Sequence, residues 1–158
     1  MPASFKPQKE TIARTIDCFQ GALQTVITEL CAALDFSIPE LRDDPTAPSD
    51  TGFKLVYKAP LDEPGTVMQP GHTDNGLATL LWNDAVMTQI QVRDKEGGQE
   101  DDWETVPVVN GTVLINIADE LAAKSGGRLH SPVHRVVSPA GDNRVWNTAV
   151  YLLRPYNL

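Results

Sequence analysis

The chain has 158 residues, which is enough for one domain with a hydrophobic core. No apolar run approaches the ~20 residues that a membrane-spanning helix needs, so we expect no membrane span. The formal net charge of −8 disfavours nucleic acid as a partner, because a polyanion would be repelled.

The first third of the chain predicts one long helix. Across residues 9–34 apolar side chains recur at steps of mostly three and four, the spacing of one buried helix face. They are Ile12, Ile16, Phe19, Leu23, Val26, Ile27, Leu30 and Leu34. A segment with three prolines at 37–49 then ends the helix, and we expect a connector there with one short turn. We therefore divide the chain into a helix with its connector, 1–48, and a second unit, 49–158.

Both cysteines fall in the predicted helix. Cys18 and Cys31 lie thirteen residues apart, ~20 Å along a straight helix, which is too far for a disulfide. We expect two buried free thiols, as is common in a reducing compartment. Because the N-terminus MPASFKPQKE also lacks the apolar stretch of a secretory signal, the sequence predicts a cytoplasmic location.

The rest of the chain predicts strands. Eight short apolar or alternating runs follow Thr51: FKLVYKA, GTVMQ, LATLLW, TQIQVRD, WETVPVV, GTVLINIA, HRVVS and VWNTAVYLL. Turn-forming segments such as LDEPG, HTDNG, DKEGG and PAGDN separate them. No alternation of strands with helices is present, so the pattern favours an antiparallel sandwich or barrel of jelly-roll type.

Candidate metal ligands cluster at the predicted strand ends. His72 and Asp74 follow one strand two residues apart, and in extended backbone such side chains point to the same side. His134 begins another strand 62 residues later, a separation that returns two strands to one another in a jelly roll. Two imidazoles and one carboxylate form the facial triad of non-haem Fe(II) oxygenases, which leaves the opposite face of the metal open.

Each part of this pattern is weak alone. An isolated H-x-D is more often a turn-capping Asp beside a solvated histidine, and a lone strand histidine such as His134 is more often partly buried structure. Their joint spacing, with about 60 residues of predicted strands between them, favours a metal site. No cysteine lies near the motif, so the pattern does not favour a thiolate zinc site.

From residue 53 to residue 155 the chain resembles the 2-oxoglutarate- and Fe(II)-dependent dioxygenases of the isopenicillin-N-synthase-like type, in particular their fungal members. GHTDNGLATLLW is similar to the segment that carries the first two ligands, and GGRLHSPVHRVVSP to the segment with the distal histidine. IQVRD and WETVPVVNGTVLINIAD resemble the central strands, and AVYLLRP the closing strand. The resemblance implies a mostly β fold, a double-stranded β-helix (jelly roll, cupin-like) preceded by a long N-terminal helix.

The resemblance also implies an activity. His72, Asp74 and His134 would be the metal ligands and the catalytic residues, and Fe(II), 2-oxoglutarate and O₂ the cofactor and cosubstrates. Oxidative decarboxylation of 2-oxoglutarate to succinate and CO₂ would drive hydroxylation, desaturation or ring formation on a small hydrophobic molecule, for example in secondary metabolism.

The residues that would hold 2-oxoglutarate depart from the family pattern. Relatives anchor its distal carboxylate with an R-x-S pair on the last strand. The serine position matches Thr148, but the arginine position matches Trp146, which forms no salt bridge. Arg144 either replaces that arginine or is a solvated turn residue. Lys58, where many relatives carry a tyrosine, either binds the carboxylate or points to water.

Typical relatives are roughly twice as long as this chain, with an N-terminal domain that helps to build the substrate pocket. We therefore expect a homo-oligomer, or a heteromeric partner that supplies the missing N-terminal half. Two alternative functions stay open: a non-catalytic or partner-dependent subunit of a dioxygenase complex, and a metal-dependent isomerase or cyclase on the same fold. His130 is expected to be a surface loop residue, and Asn116 and Trp103 to be structural.

Overall fold

A computed structural model describes residues 3–41, 50–59, 63–92, 102–139 and 145–155. All eight predicted strands are present in it, most of them shorter than their sequence patterns. They are β1 Gly52–Lys58, β2 Val67–His72, β3 Ala78–Asn83, β4 Thr88–Gln91, β5 Trp103–Thr105, β6 Leu114–Ile117, β7 His134–Val137 and β8 Trp146–Leu153.

The strands form two four-stranded sheets in which every pairing is antiparallel. Sheet 1 has the order β1-β8-β3-β6 and sheet 2 the order β2-β7-β4-β5. Apart from β4 and β5, which pair within sheet 2, strands that are neighbours in sequence alternate between the sheets, which is the jelly-roll arrangement. The predicted double-stranded β-helix is confirmed, and so is the expected return of the His134 strand to the His72 strand, since β7 pairs with β2.

The predicted long helix is confirmed as α1, Lys9–Ala33. Its buried residues Leu23, Ile27 and Cys31 pack on sheet 1. The side chains from the rest of the chain that complete this core are Ile38, Leu77, Ala78, Leu80, Leu121, Tyr151 and Leu153. Full burial of one leucine or isoleucine contributes about 1.5–3 kcal/mol, so this contact is a main source of stability. The main core lies between α1 and sheet 1, outside the space that the two sheets enclose.

The prediction for the cysteines is half right. Both thiols are free, and Cys31 is buried, which raises the pKa of its thiol. Cys18 is exposed, so its predicted burial is wrong. At about 100° per residue, Cys18 lies about 140° around the helix from Leu23, away from sheet 1.

A second helix, α2 at Asp119–Lys124, was not predicted. Its first backbone N–H groups, of Asp119 and Glu120, donate to the carbonyls of Asp74 and Gly76 at 2.9 Å. Gly76 has a φ of +100°, and a Cβ there would lie 2.8 Å from the Leu153 carbonyl oxygen. Helix α2 and this glycine therefore hold the turn that follows β2.

The connector after α1 contains a short 3-10 helix at Pro39–Leu41, in agreement with the expected turn. Residues 42–49 lie outside the described part of the chain. In the described ranges, no helix combines the length and the apolar character that are needed to cross a membrane.

Candidate metal centre

His72 and His134 face each other across two paired strands. They are register partners in β2 and β7, and their ring centroids lie 4.3 Å apart. Asp74 is two residues beyond His72, in the turn that α2 holds. One ligand atom from each of the three residues can be chosen so that all lie within 4.8 Å of one another. The structure therefore brings the three predicted ligands together.

Backbone carbonyls orient both imidazole rings. His72 Nδ1 lies 2.8 Å from the Pro70 carbonyl oxygen, and His134 Nδ1 lies 3.2 Å from the Pro132 carbonyl oxygen. A carbonyl oxygen only accepts, so each Nδ1 carries the proton and each Nε2 keeps its lone pair. This is the tautomer that a metal ligand needs, and a fixed second nitrogen is typical of metal-binding histidines.

Asn116, which the sequence analysis assigned to structure, belongs to this site. Its Nδ2 donates to Asp74 Oδ2 at 3.1 Å and lies 3.4 Å from His134 Nδ1. The same Asp74 oxygen is 3.7 Å from His134 Nε2. A polar side chain in the otherwise apolar β6 run LINI was the available sign of this role.

Gln69 is a second residue that the sequence analysis missed. Its Nε2 lies 2.9 Å from His72 Nε2. Because His72 Nδ1 donates to a carbonyl, the bond runs from the Gln69 amide to the free nitrogen of His72. The Gln69 side chain therefore stands where a metal ion would meet His72.

A cavity of ≈ 260 Å³ lies between the two sheets, and the three candidate ligands line it. Most of the wall is apolar, made of residues from both sheets: Val56, Leu81, Met87, Ile90, Leu114, Val136, Val150 and Leu152. Its charged lining residues in the described part of the chain are Lys54, Lys58 and Asp74. The combination of a wall that is apolar over most of its area with polar groups that converge on it is typical of small-molecule sites.

The predicted cosubstrate residues have different locations. Lys58 and Thr148 line the cavity, and burial lowers the pKa of the Lys58 ammonium. Trp146 is buried and packs with Ala85 and Met87, so it fills space instead of presenting a charge. Arg144 lies outside the described residues.

The cavity also contains a buried polar atom without a partner. Thr79 is 4% exposed and lines the cavity, and its Oγ1 has no hydrogen-bond partner in the described ranges. An unpaired buried hydroxyl is costly, so this atom fits a site that is completed by a ligand. Two neutral imidazoles and a carboxylate are in turn a donor set that suits Fe(II). The residues present thus fit an iron ion and a bound small molecule.

The remaining residues agree with their expected structural roles. His130 is exposed in the segment before β7 and is not among the residues that line the cavity. Trp103 on β5 lies under Arg135, whose guanidinium carbon is 4.2 Å from the centre of the Trp103 ring.

Comparison with known proteins supports the same family. The sequence profile of the 2OG-Fe(II) oxygenase superfamily matches residues 50–152, more than half of the chain. The 2-oxoglutarate-dependent dioxygenase DAO of rice (Oryza sativa subsp. indica) is 36% identical over 150 residues, which cover 93% of this chain and 46% of the rice protein. The chain therefore spans less than half the length of this curated relative.

Two solved structures share the fold. A full-length Neurospora crassa protein in complex with alpha-KG gives a TM-score of 0.76 at 24% identity, over 98% of this chain and 50% of that one. The 2-oxoglutarate complex of the Arabidopsis thaliana dioxygenase for auxin oxidation 1 gives 0.77 at 19% identity, over 96% and 54%. The narrower assignment to the fungal isopenicillin-N-synthase-like type stays a prediction. The profile match and the jelly roll establish that this chain belongs to the 2OG-Fe(II) oxygenase superfamily, whose members use Fe(II), 2-oxoglutarate and O₂.

Proposed function

We propose that the chain is the catalytic unit of an Fe(II)- and 2-oxoglutarate-dependent dioxygenase that oxidises a small, mainly apolar molecule. The observation that carries this proposal is the meeting of His72, Asp74 and His134 at the wall of a cavity, with ligand atoms within 4.8 Å. We assign the unit to residues 49–158, with the helix and connector of 1–48 as its support. The packing of α1 on sheet 1 is consistent with that division.

His72 and His134, through Nε2, and Asp74, through its carboxylate, would hold the iron. Bound iron supplies the redox chemistry that couples decarboxylation of 2-oxoglutarate to oxidation of a C–H bond. The chain's own part is to keep both imidazoles in the correct tautomer through the Pro70 and Pro132 carbonyls. The apolar side chains of the cavity wall lie beside the candidate metal ligands.

Lys58 and Thr148 are the proposed anchor for the distal carboxylate of 2-oxoglutarate. Both line the cavity, and Val56, between Lys54 and Lys58 on β1, is the register partner of Thr148. A lysine ammonium supplies the positive charge that Trp146 lacks. Arg144, which lies outside the described residues, remains the alternative anchor.

The Thr148 hydroxyl can become free to donate to the cosubstrate if the neighbouring Asn83 amide rotates. Its hydroxyl now donates to Asn83 Oδ1 at 2.9 Å, while Asn83 Nδ2 donates to Thr88 Oγ1 at 3.3 Å. A 180° rotation of the Asn83 amide reverses both bonds, because each threonine hydroxyl can donate or accept. The Thr148 proton is then free for a carboxylate of the cosubstrate.

The substrate would be a small hydrophobic molecule, as the apolar wall and the modest cavity volume suggest. Hydroxylation, desaturation and ring formation stay equal alternatives for the outcome, and secondary metabolism is one setting for such a reaction. The name of the rice relative, a 2-oxoglutarate-dependent dioxygenase, supports the choice of cosubstrate.

Two other functions compete with this one. A non-catalytic subunit has no need for two oriented imidazoles beside a carboxylate, which speaks against a pure scaffold, whereas a partner-dependent subunit would keep the metal ligands. A metal-dependent isomerase or cyclase would keep the metal ligands and would not consume 2-oxoglutarate. Succinate production therefore separates the dioxygenase from both alternatives, and iron binding separates a metal-dependent protein from a pure scaffold.

The decisive experiment incubates the full chain with Fe(II), ascorbate, O₂ and 2-oxoglutarate, and measures bound iron and succinate. We expect the wild type to produce succinate and His72→Ala to produce none. His130→Ala is the control, since it removes an exposed histidine, and it should produce succinate like the wild type. Tight iron binding without succinate would favour the isomerase or the partner-dependent subunit. Failure to bind iron at all would leave only the scaffold.

We also propose a cytoplasmic location and an assembly of more than one chain. The free thiols of Cys18 and Cys31 support the first. For the second, Leu55 and Tyr57 on the outer face of β1 are 51% and 71% exposed, the kind of apolar surface that a homo-oligomer or a partner chain covers. Light scattering on the purified protein tests the assembly, and a stable monomer at high concentration would contradict a homo-oligomer.

A further inference from the structure

We propose that Lys54 binds a carboxylate of the substrate, so that this site accepts small carboxylic acids with an apolar body. The inference rests on the proposed function, because it assumes that Lys58 is occupied by the cosubstrate. It adds a substrate class that the metal centre and the apolar wall do not specify.

The position of Lys54 separates it from the cosubstrate anchor. Lys54 and Lys58 are four residues apart on β1, so both side chains point to the cavity face. Their register partners are Val150 and Trp146, which places them on either side of the Thr148 row. Lys58 lies at the end closed by buried Trp146, and Lys54 lies on the other side.

Lys54 is also the nearer of the two to the metal end. Asn116 marks the metal end of sheet 1, because it donates to Asp74. The row of register partners at this end runs across the sheet from Asn116 to Gly52 on β1, by way of Thr79 and Leu152. Lys54 is therefore one inward-facing position away from this metal-end row, and Lys58 is three positions away. A molecule placed over the metal meets Lys54 first.

Lys54 supplies a positive charge that no described side chain pairs. Lys54, Lys58 and Asp74 are the charged residues among the described lining of the cavity, and neither lysine has an ion-pair partner in the described ranges. With Lys58 bound to 2-oxoglutarate, the Lys54 ammonium is the described cation that a carboxylate of the substrate can pair with, through charge-assisted hydrogen bonds.

The residues around Lys54 indicate which chemical groups the rest of the substrate carries. Its row continues through Val150, Leu81 and Leu114, which are all apolar and line the cavity. β1 is an edge strand of sheet 1, and Lys54 is exposed there, so an anion can reach the ammonium from solvent. The class is thus a small carboxylic acid whose hydrocarbon part packs on these side chains.

The test uses the full chain loaded with Mn(II), which prevents turnover, and saturating 2-oxoglutarate. The probes are phenylacetate and octanoate, each compared with its neutral amide. Titration calorimetry measures the dissociation constants, and broadening of the probe proton signals by Mn(II) reports proximity to the metal. We expect each acid to bind about tenfold more tightly than its amide, as a charge-assisted pair allows.

Lys54→Met should weaken acid binding about tenfold, leave amide binding within about twofold, and leave the dissociation constant of 2-oxoglutarate unchanged. Lys9→Met, which removes an exposed charge on α1, should change none of these values. Lys58→Met should show the opposite pattern, with weakened 2-oxoglutarate binding and a retained preference for the acid.

The proposal is overturned if the wild type does not prefer either acid to its amide, or binds none of the four probes. It is equally overturned if Lys54→Met keeps the preference, or loses 2-oxoglutarate binding, which would make Lys54 the cosubstrate anchor. In each of these cases 2-oxoglutarate still binds the wild type, so the proposed function stands. Only a wild type that fails to bind 2-oxoglutarate at all would remove both.

Discussion

Asn116 donates a hydrogen bond of 3.1 Å from its Nδ2 to Asp74 Oδ2. Asn116 lies on β6 of sheet 1, while Asp74 lies in the turn between the sheets, so this bond fixes the turn to the barrel wall. The same amide is 3.4 Å from His134 Nδ1, on sheet 2. Asn116 therefore fixes the Asp74 carboxylate and lies beside the His134 ring before a metal arrives.

Replacement of Asn116 by leucine, which has a similar volume, should lower metal affinity about 10–100-fold, as is usual when a partner of a ligand is lost. Competition with a chelator of known affinity measures the change. The matched control is Asn147→Leu, because Asn147 Nδ2 also donates to an aspartate, Asp84, at 3.0 Å but away from the cavity. Equal affinity of both variants would contradict the role of Asn116.

The stability of the protein should depend on Lys58 in a pH-dependent way. Burial lowers the pKa of this ammonium below its ordinary value of 10.5. The unfolded chain therefore binds more protons than the folded chain between the lowered value and 10.5, and stability rises with pH in that window. Below the window, the full penalty of the half-buried charge is present.

Lys58→Met should accordingly raise the Tm of the metal-free protein at neutral pH, and the gain should shrink as the pH rises towards 10.5. The same substitution should weaken 2-oxoglutarate binding at least about tenfold, because the anchoring charge is lost. Thermal unfolding across a pH series checks the first result, with Lys9→Met as the control for loss of an exposed charge. A gain that stays constant with pH would contradict desolvation as its cause.

Much of this site could be predicted from local patterns. The strands follow from short apolar runs between turn formers, and His72 and Asp74 share a side because residues two apart do so in extended backbone. The meeting with His134 follows once the runs are arranged as a jelly roll, since β2 and β7 are then neighbours. These features depend on spacing along the chain, which one sequence displays.

The features that were missed depend on tertiary contacts. Helix α2 has six residues, too few for a helical period to stand out, and it is held by the Asp74 and Gly76 carbonyls. Asn116 meets Asp74 across 42 positions of the chain. No local sequence pattern predicts either contact, so both could be recognised only in the folded structure.

Trp146 should contribute strongly to the stability of the folded chain. It is 1% exposed and packs with Ala85 and Met87, so Trp146→Ala should cost about 3–5 kcal/mol of unfolding free energy. Trp82→Ala, which removes a 41% exposed ring, should cost clearly less. Urea unfolding followed by circular dichroism measures both. If the two variants lost similar stability, the buried indole would not be the main support of this end of the barrel.

Gln69 should act against metal binding, because its amide occupies the nitrogen that a metal needs. Gln69 Nε2 lies 2.9 Å from His72 Nε2, and that bond must break before an ion can coordinate the ring. A typical hydrogen bond contributes a net 0.5–1.5 kcal/mol, so Gln69→Leu should raise metal affinity about two- to tenfold. Gln89→Leu is the matched control, since Gln89 Oε1 accepts from Arg135 and neither residue lines the cavity. Mn(II) titration followed by electron paramagnetic resonance measures both variants. Lower affinity in Gln69→Leu would instead mean that the amide helps to hold the ion, because its oxygen can turn towards the metal once the bond to His72 is broken.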